Sequence, residues 1–127
     1  MAYCKPIRVL ILHDDPIAHA GLAATFCKYP DLEVVNVDYE PDVGAPGLCF
    51  SVGCSADVVV ADYENGIELA MRGPRRPGSG GPLKIMIVAS ADREWEIRRA
   101  LERGVRGYML VRCALEELAC GVRAVHR

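Results

Sequence analysis

Ile7-Arg8-Val9-Leu10-Ile11-Leu12-His13-Asp14-Asp15-Pro16 is the stretch on which the fold turns. Its first six residues are apolar except for Arg8. A short, nearly unbroken apolar run that stops at polar residues is the pattern of a strand covered on both faces. It is far shorter than the roughly 20 residues of a membrane span. It also ends in charge, which excludes a secretion signal. Pro16 suits the first turn of a helix, where no N–H is needed. From Ile17 to Tyr29, Ile17, Ala20, Leu22, Ala24, Phe26 and Cys27 recur at helical spacing, until Pro30-Asp31 stops the run.

The same alternation continues outward. Strands are expected over Leu32–Val37, Asp57–Ala61, Leu83–Ala89 and Gly107–Val111. Helices are expected over Asn65–Met71, Asp92–Arg103 and Ala114–His126, with a short one near Gly47–Cys54. The apolar members of the 92–103 helix are Trp95, Ile97, Ala100 and Leu101; partial core burial is expected of Trp95. In the last helix Leu115, Leu118, Ala119, Val122 and Val125 form one stripe. Gly73 to Pro82 holds Gly, Pro, Arg and Ser only, and a mobile surface loop is expected there. Arg72, Arg75 and Arg76 lie in or beside it, on a solvated surface.

Strand–helix alternation of this kind calls for an α/β fold: a five-stranded, doubly wound parallel sheet with helices on both faces. The 127 residues make one domain, 1–127. With 51% hydrophobic residues, the chain can bury a core without disulfides or metals. The six cysteines, Cys4, Cys27, Cys49, Cys54, Cys113 and Cys120, form no C-x-x-C pair, and reduced thiols are expected. A net charge of −2 gives no basic footprint for direct nucleic-acid contact. A cytoplasmic protein is expected, with no membrane segment.

Open sheets bind ligands beyond the carboxyl ends of their strands. There stand His13-Asp14-Asp15 after the first strand, Asp62 after the third, Ser90 after the fourth and Val111-Arg112 near the end of the fifth. Crowded carboxylates resist ionising together, and a hard cation such as Mg²⁺ relieves the repulsion. A carboxylate beside Mg²⁺ can act as a nucleophile toward phosphorus. Plainer roles compete at each position: helix capping for Asp14-Asp15 and for Ser90, and turn formation for Asp62.

Taken together, these segments resemble the receiver domain of two-component response regulators over nearly the whole chain. Ile7–Leu22 resembles the family's first strand and helix, and Ala56–Asp62 the strand that carries the phospho-acceptor. Lys84–Ser90 resembles the strand of the switch hydroxyl, Ala100–Leu110 the passage into the fifth strand, and Glu116–Val125 the last helix. Gly21-Leu22 and the style of that ending are similar to the NarL/FixJ (LuxR) type. The resemblance implies a flavodoxin-like sheet of order 2-1-3-4-5. It implies Asp62 as phospho-acceptor for a partner histidine kinase. It implies Mg²⁺ held by Asp14, Asp62 and the backbone carbonyl of Glu64, with Ser90 and Tyr108 as switch residues. It also implies a homodimer through helical faces, and DNA contact only through a separate helix-turn-helix output domain beyond residue 127.

The sequence departs from that pattern in four places. His13 stands where the family has an acid, and Asp15 compensates only if its loop turns inward. Val111 stands where the family has its lysine; Arg112 reaches the pocket only if the strand has ended before it. Asp62 runs almost directly into a helix, without the usual Met-Pro. The 73–82 loop is long. Two readings follow. In one, the fold serves as an atypical receiver, a signalling and dimerisation module independent of phosphorylation; the lost lysine favours it. In the other, the chain is a conventional receiver that at most catalyses its own phosphoryl transfer onto Asp62; Asp14, Asp62 and Ser90 favour that one. A third, weaker reading is a flavodoxin-like cofactor binder, against which the lack of a Gly-rich loop after the first strand argues.

Overall fold

The computed structural model describes residues 6–35, 56–72, 84–90 and 93–127. The helix expected near Gly47–Cys54, the loop Gly73–Pro82, Arg75, Arg76, and Cys4, Cys49 and Cys54 lie outside the described residues. Nine elements follow in order: β1 (Ile7–Leu12), α1 (Pro16–Phe26), β2 (Leu32–Val35), β3 (Val58–Ala61), α2 (Tyr63–Arg72), β4 (Lys84–Ala89), α3 (Glu94–Glu102), β5 (Gly107–Leu110) and α4 (Leu115–His126). The strands form one parallel sheet of order β2-β1-β3-β4-β5. No helix among the described residues is long and apolar enough to cross a membrane.

The period-2 geometry of a strand sends alternate side chains to opposite faces. Val9, Ile11, Val58, Val60, Met86 and Val88 therefore join Leu22 and Phe26 of α1 and Leu118, Ala119, Val122 and Val125 of α4. Leu10, Val59, Ala61, Ile85, Ile87 and Ala89 face the other way, onto Ile67 and Leu69 of α2 and Ala100 of α3. Both faces are covered, which is why these strands read as unbroken apolar runs. Each fully buried Val, Ile or Phe contributes about 1.5–3 kcal/mol relative to exposure.

The helices differ from expectation in which face they bury. In α1 only Leu22, Thr25 and Phe26 are buried, whereas Ile17 is 83% exposed. The buried stripe is thus i, i+3, i+4, and Thr25 satisfies its hydroxyl by donating to the Gly21 carbonyl at 2.8 Å. In α3 the inward positions are Glu96 and Ala100, while Trp95 is 57% exposed rather than half in the core. Leu101 and Leu115 also face solvent. Helix α3 ends at Gly104, whose φ of 96° is left-handed; Val105 N–H returns to Ala100 O and Gly104 N–H to Leu101 O, each at 3.1 Å.

Helix α2 starts at Tyr63, two residues before the expected Asn65. The reason is local. Asp62 accepts the Asn65 N–H on its side chain at 2.9 Å and the Gly66 N–H on its carbonyl at 2.8 Å, which starts the helix at the strand's end. Gly66 then lets α2 press on β4, because a Cβ there would stand 2.6 Å from Ile87 Cγ1.

Candidate functional site

The carboxyl ends of β1, β3, β4 and β5 meet at one rim. An open cleft of about 340 Å³ lies there, walled by His13, Asp15, Ala18, Asp62, Tyr63, Glu64, Val88, Ala89, Ser90, Glu96 and Val111. Parallel strands in register bring these residues together: Leu12 pairs with Ala61, Ala61 with Ile87, and Ala89 with Leu110.

Asp62 sits at the centre and both its oxygens are engaged. Oδ1 accepts the Asn65 backbone N–H at 2.9 Å, and Oδ2 accepts the Asp14 backbone N–H at 3.2 Å. Its own N–H donates to Leu12 O at 3.1 Å. Asp14 Oδ1 accepts the Asn65 side-chain amide at 3.1 Å. Asn65 thus touches both carboxylates, one with its backbone and one with its side chain.

Asp15 caps α1, with Oδ1 accepting the Ile17 N–H at 3.0 Å. Its N–H donates to His13 Nδ1 at 3.2 Å, which ties the half-buried imidazole to the same loop. Glu64 lies in the first turn of α2 with its side chain exposed. Glu64 also lines the rim cleft. Ser90 is exposed at the end of β4 and lines the cleft. Tyr108 is half-buried and packs on the α2/α3 side of the sheet. β5 ends at Leu110, yet the wall is formed by Val111, 40% exposed, whose N–H donates to Ala89 O at 2.8 Å. Arg112 is exposed just beyond.

Two cleft residues escaped the reading of the sequence. Glu96 is buried to 9% exposure, with Arg93 Nε 3.7 Å from its Oε1. Its place four residues before the buried Ala100 was the available signal. Tyr63 packs edge-on against Trp95, ring centroids 6.5 Å apart, and its buried hydroxyl has no hydrogen-bond partner among the described residues.

Mg²⁺ takes near-octahedral oxygen ligands at about 2.0–2.1 Å. Asp14 and Asp62 bring carboxylate oxygens to the rim that suit such an ion, because an oxygen that accepts one hydrogen bond keeps a lone pair for a metal. Asp15 Oδ1 is engaged as the cap of α1. Among the described residues no group of three or more His, Cys, Asp or Glu could hold a metal ion.

No family model matches the chain. It is 31% identical over 122 residues to the transcriptional regulatory protein UhpA of Escherichia coli strain K12, covering 94% of this chain and 58% of UhpA. It is 29% identical over 125 residues to the transcriptional regulatory protein LiaR of Bacillus subtilis strain 168, covering 95% of this chain and 56% of LiaR. The chain spans little more than half the length of these relatives. Its fold superposes on the signal receiver domain of NarL from Mycobacterium tuberculosis with a TM-score of 0.70 at 21% identity, covering 97% of this chain and 98% of that one. The sheet order and these likenesses give the chain the fold of a signal receiver domain. Its homologues are response regulators of the NarL, LiaR and UhpA type.

Proposed function

We propose that this chain is an atypical receiver domain of a bacterial transcriptional regulator, a signalling and dimerisation module whose pocket is organised without phosphorylation. The observation that carries this reading is the Asp62 carboxylate: both oxygens are bound by backbone N–H groups, and one of those bonds caps α2. A phosphoryl group on Asp62 Oδ1 would displace the α2 cap, one on Oδ2 the bond from Asp14 N–H, and Val111 offers no cation to receive the new charge. The module works through its surface. Trp95 and Leu101 are each more than half exposed on α3, and large apolar side chains of this kind anchor interfaces between copies. In a longer chain, DNA is contacted by a separate output domain, consistent with the net charge of −2 here. Cytoplasmic location follows from the same reading.

A second reading has one observation in its favour. Ser90 is exposed in the cleft that Asp62 lines, as a conventional switch hydroxyl would be. In that reading a histidine kinase phosphorylates Asp62 with Mg²⁺ held by Asp14, Asp62 and the Glu64 carbonyl, and Tyr108 follows Ser90 inward. Intact mass separates the two. The protein and its Asp62→Asn variant are incubated with acetyl phosphate and Mg²⁺. The proposed function expects no phosphoryl adduct on the folded protein. A Mg²⁺-dependent adduct that disappears in Asp62→Asn establishes the conventional reading instead.

A further inference from the structure

We propose that the rim cleft binds a small organic cation, a primary ammonium on a short alkyl stem, and that Glu96 is the residue that holds its charge. The inference rests on the phosphate-independent reading of the cleft, and goes beyond it by naming the chemistry of a ligand.

Glu96 carries the argument. A glutamate is seldom buried unless a donor or a cation meets it, because burial strips the carboxylate of its water. Glu96 is only 9% exposed and lines the cleft. Its side chain accepts no hydrogen bond from the described residues. Arg93 Nε stands 3.7 Å from Oε1, beyond hydrogen-bond reach, on a side chain that is 68% exposed. A solvated guanidinium at that distance offsets little of the burial. Glu96 is not a cap either. It is the third residue of α3, where an acid can turn back to the N–H of the N-cap residue, Arg93, and no such bond forms among the described residues. On the same wall, Tyr63 buries a hydroxyl that no described residue satisfies. Buried polar groups left unmatched side by side call for a group that enters from outside and brings hydrogen-bond donors.

The cleft also selects the charge and shape of that group. Among the described residues its wall holds four carboxylates, Asp15, Asp62, Glu64 and Glu96, and neither lysine nor arginine. An anion is repelled there, and a neutral ligand leaves the Glu96 charge unmatched. Val88, Ala89 and Val111 set apolar surface beside the acids. An alkyl ammonium matches both: its stem lies on apolar surface while its three N–H donors meet acceptor oxygens. The volume of about 340 Å³ is at the small end of ligand pockets, which suits an amine of a few carbons.

The test is a titration of the whole chain with n-butylammonium chloride, read by Trp95 fluorescence and by the backbone amide shifts of isotope-labelled protein. Trp95 precedes Glu96 and packs on Tyr63, so it reports on this wall. A saturable change is expected, with amide shifts centred on Ser90, Glu96 and Val111 and none at Asp31, which precedes β2 at the opposite edge of the sheet. Sodium chloride and n-butanol at the same concentrations should produce neither, since one lacks the stem and the other the charge. Glu96→Gln keeps the shape and removes the charge; it should weaken binding by about tenfold or more, the scale of losing one member of a buried charge pair. If Glu96→Gln is unfolded, the amide shifts of the unaltered protein decide. No saturable change, shifts centred elsewhere, an equal response to n-butanol, or unweakened binding by folded Glu96→Gln would each overturn the proposal. So would Mg²⁺ that moves the same amides and displaces n-butylammonium, which would give the acids to a metal ion instead. The acetyl phosphate experiment keeps the two claims apart. An adduct-free protein that ignores n-butylammonium removes this proposal alone, whereas a phosphoryl adduct removes the reading of the cleft on which it rests.

Discussion

Asp62 Oδ1 accepts the backbone N–H of Asn65 across 2.9 Å, so the aspartate at the end of β3 is the N-cap of α2. A side chain with this duty is structural before it is anything else. Asp62→Ala should lower stability by about 1 kcal/mol, the usual cost of an N-cap. Asp62→Asn should stay within about 0.5 kcal/mol of the parent, because asparagine caps as well as aspartate. Urea unfolding of the two variants checks the difference. Equal losses would mean that the negative charge, rather than the cap, is what the fold uses.

Two glycines make predictions of different size. A Cβ at Gly66 would lie 2.6 Å from Ile87 Cγ1 and 2.9 Å from its Cδ1, on a fully buried β-branched residue. Gly66→Ala should therefore destabilise by roughly 1–3 kcal/mol through overpacking, despite alanine's better helix propensity. At Gly121 the nearest atom is Met109 Sδ at 2.4 Å, in a flexible side chain that can move aside. Gly121→Ala should cost less than Gly66→Ala in the same denaturation assay.

Arg123 of α4 grips Asp31, at the start of β2, with two hydrogen bonds of 2.6 and 3.0 Å, and lies 5.1 Å from the centroid of the Tyr29 ring. The Arg123 hydrogen bond lowers the Asp31 carboxyl below its ordinary 3.8, against a smaller opposing effect of desolvation. A carboxyl with a depressed folded pKa stabilises above its unfolded value and loses that contribution as pH falls through the folded one. The destabilisation of Asp31→Asn should thus be present at neutral pH and fade below about pH 3.8. The effect is small, since both side chains are about a third or more exposed. Melting temperatures of both proteins from neutral to strongly acid pH check the sign.

Cys113 should be the slowest of the described cysteines to alkylate. Burial, and then the Glu117 charge, push its thiol above the ordinary 9.0, leaving little thiolate at neutral pH. Cys27 and Cys120 are exposed. Peptide mapping after timed iodoacetamide treatment at neutral pH should find Cys113 labelled last of the three.

The sheet was legible because its central strands, buried on both faces, leave unbroken apolar runs such as Val58–Ala61 and Ile85–Ala89. The rim was legible for the same reason: each run stops at a polar residue, and parallel register aligns the stops. The interior of the site was harder to read. Asn65 passed as an ordinary helical residue, although Asp62-Tyr63-Glu64-Asn65 has the N-cap to N3 spacing that places it against the capping side chain. Trp95 lies outward where partial burial was expected, and Glu96 lies inward, because the packing of α3 on the sheet, rather than residue polarity, sets which face turns inward. The short passage from Asp62 to α2 was visible in the sequence, but its consequence, a carboxylate used as a cap, needed coordinates.

The central claim is that the Asp14–Asp62 pocket is complete without a phosphoryl group. Trp95 packs edge-on against Tyr63, the residue that follows Asp62, and so reports on this pocket. The most direct measurement is Trp95 fluorescence during a beryllofluoride titration in Mg²⁺, for the unaltered protein and Asp62→Asn. The account predicts no saturable change in either. A saturable change in the unaltered protein that is absent from Asp62→Asn would contradict it.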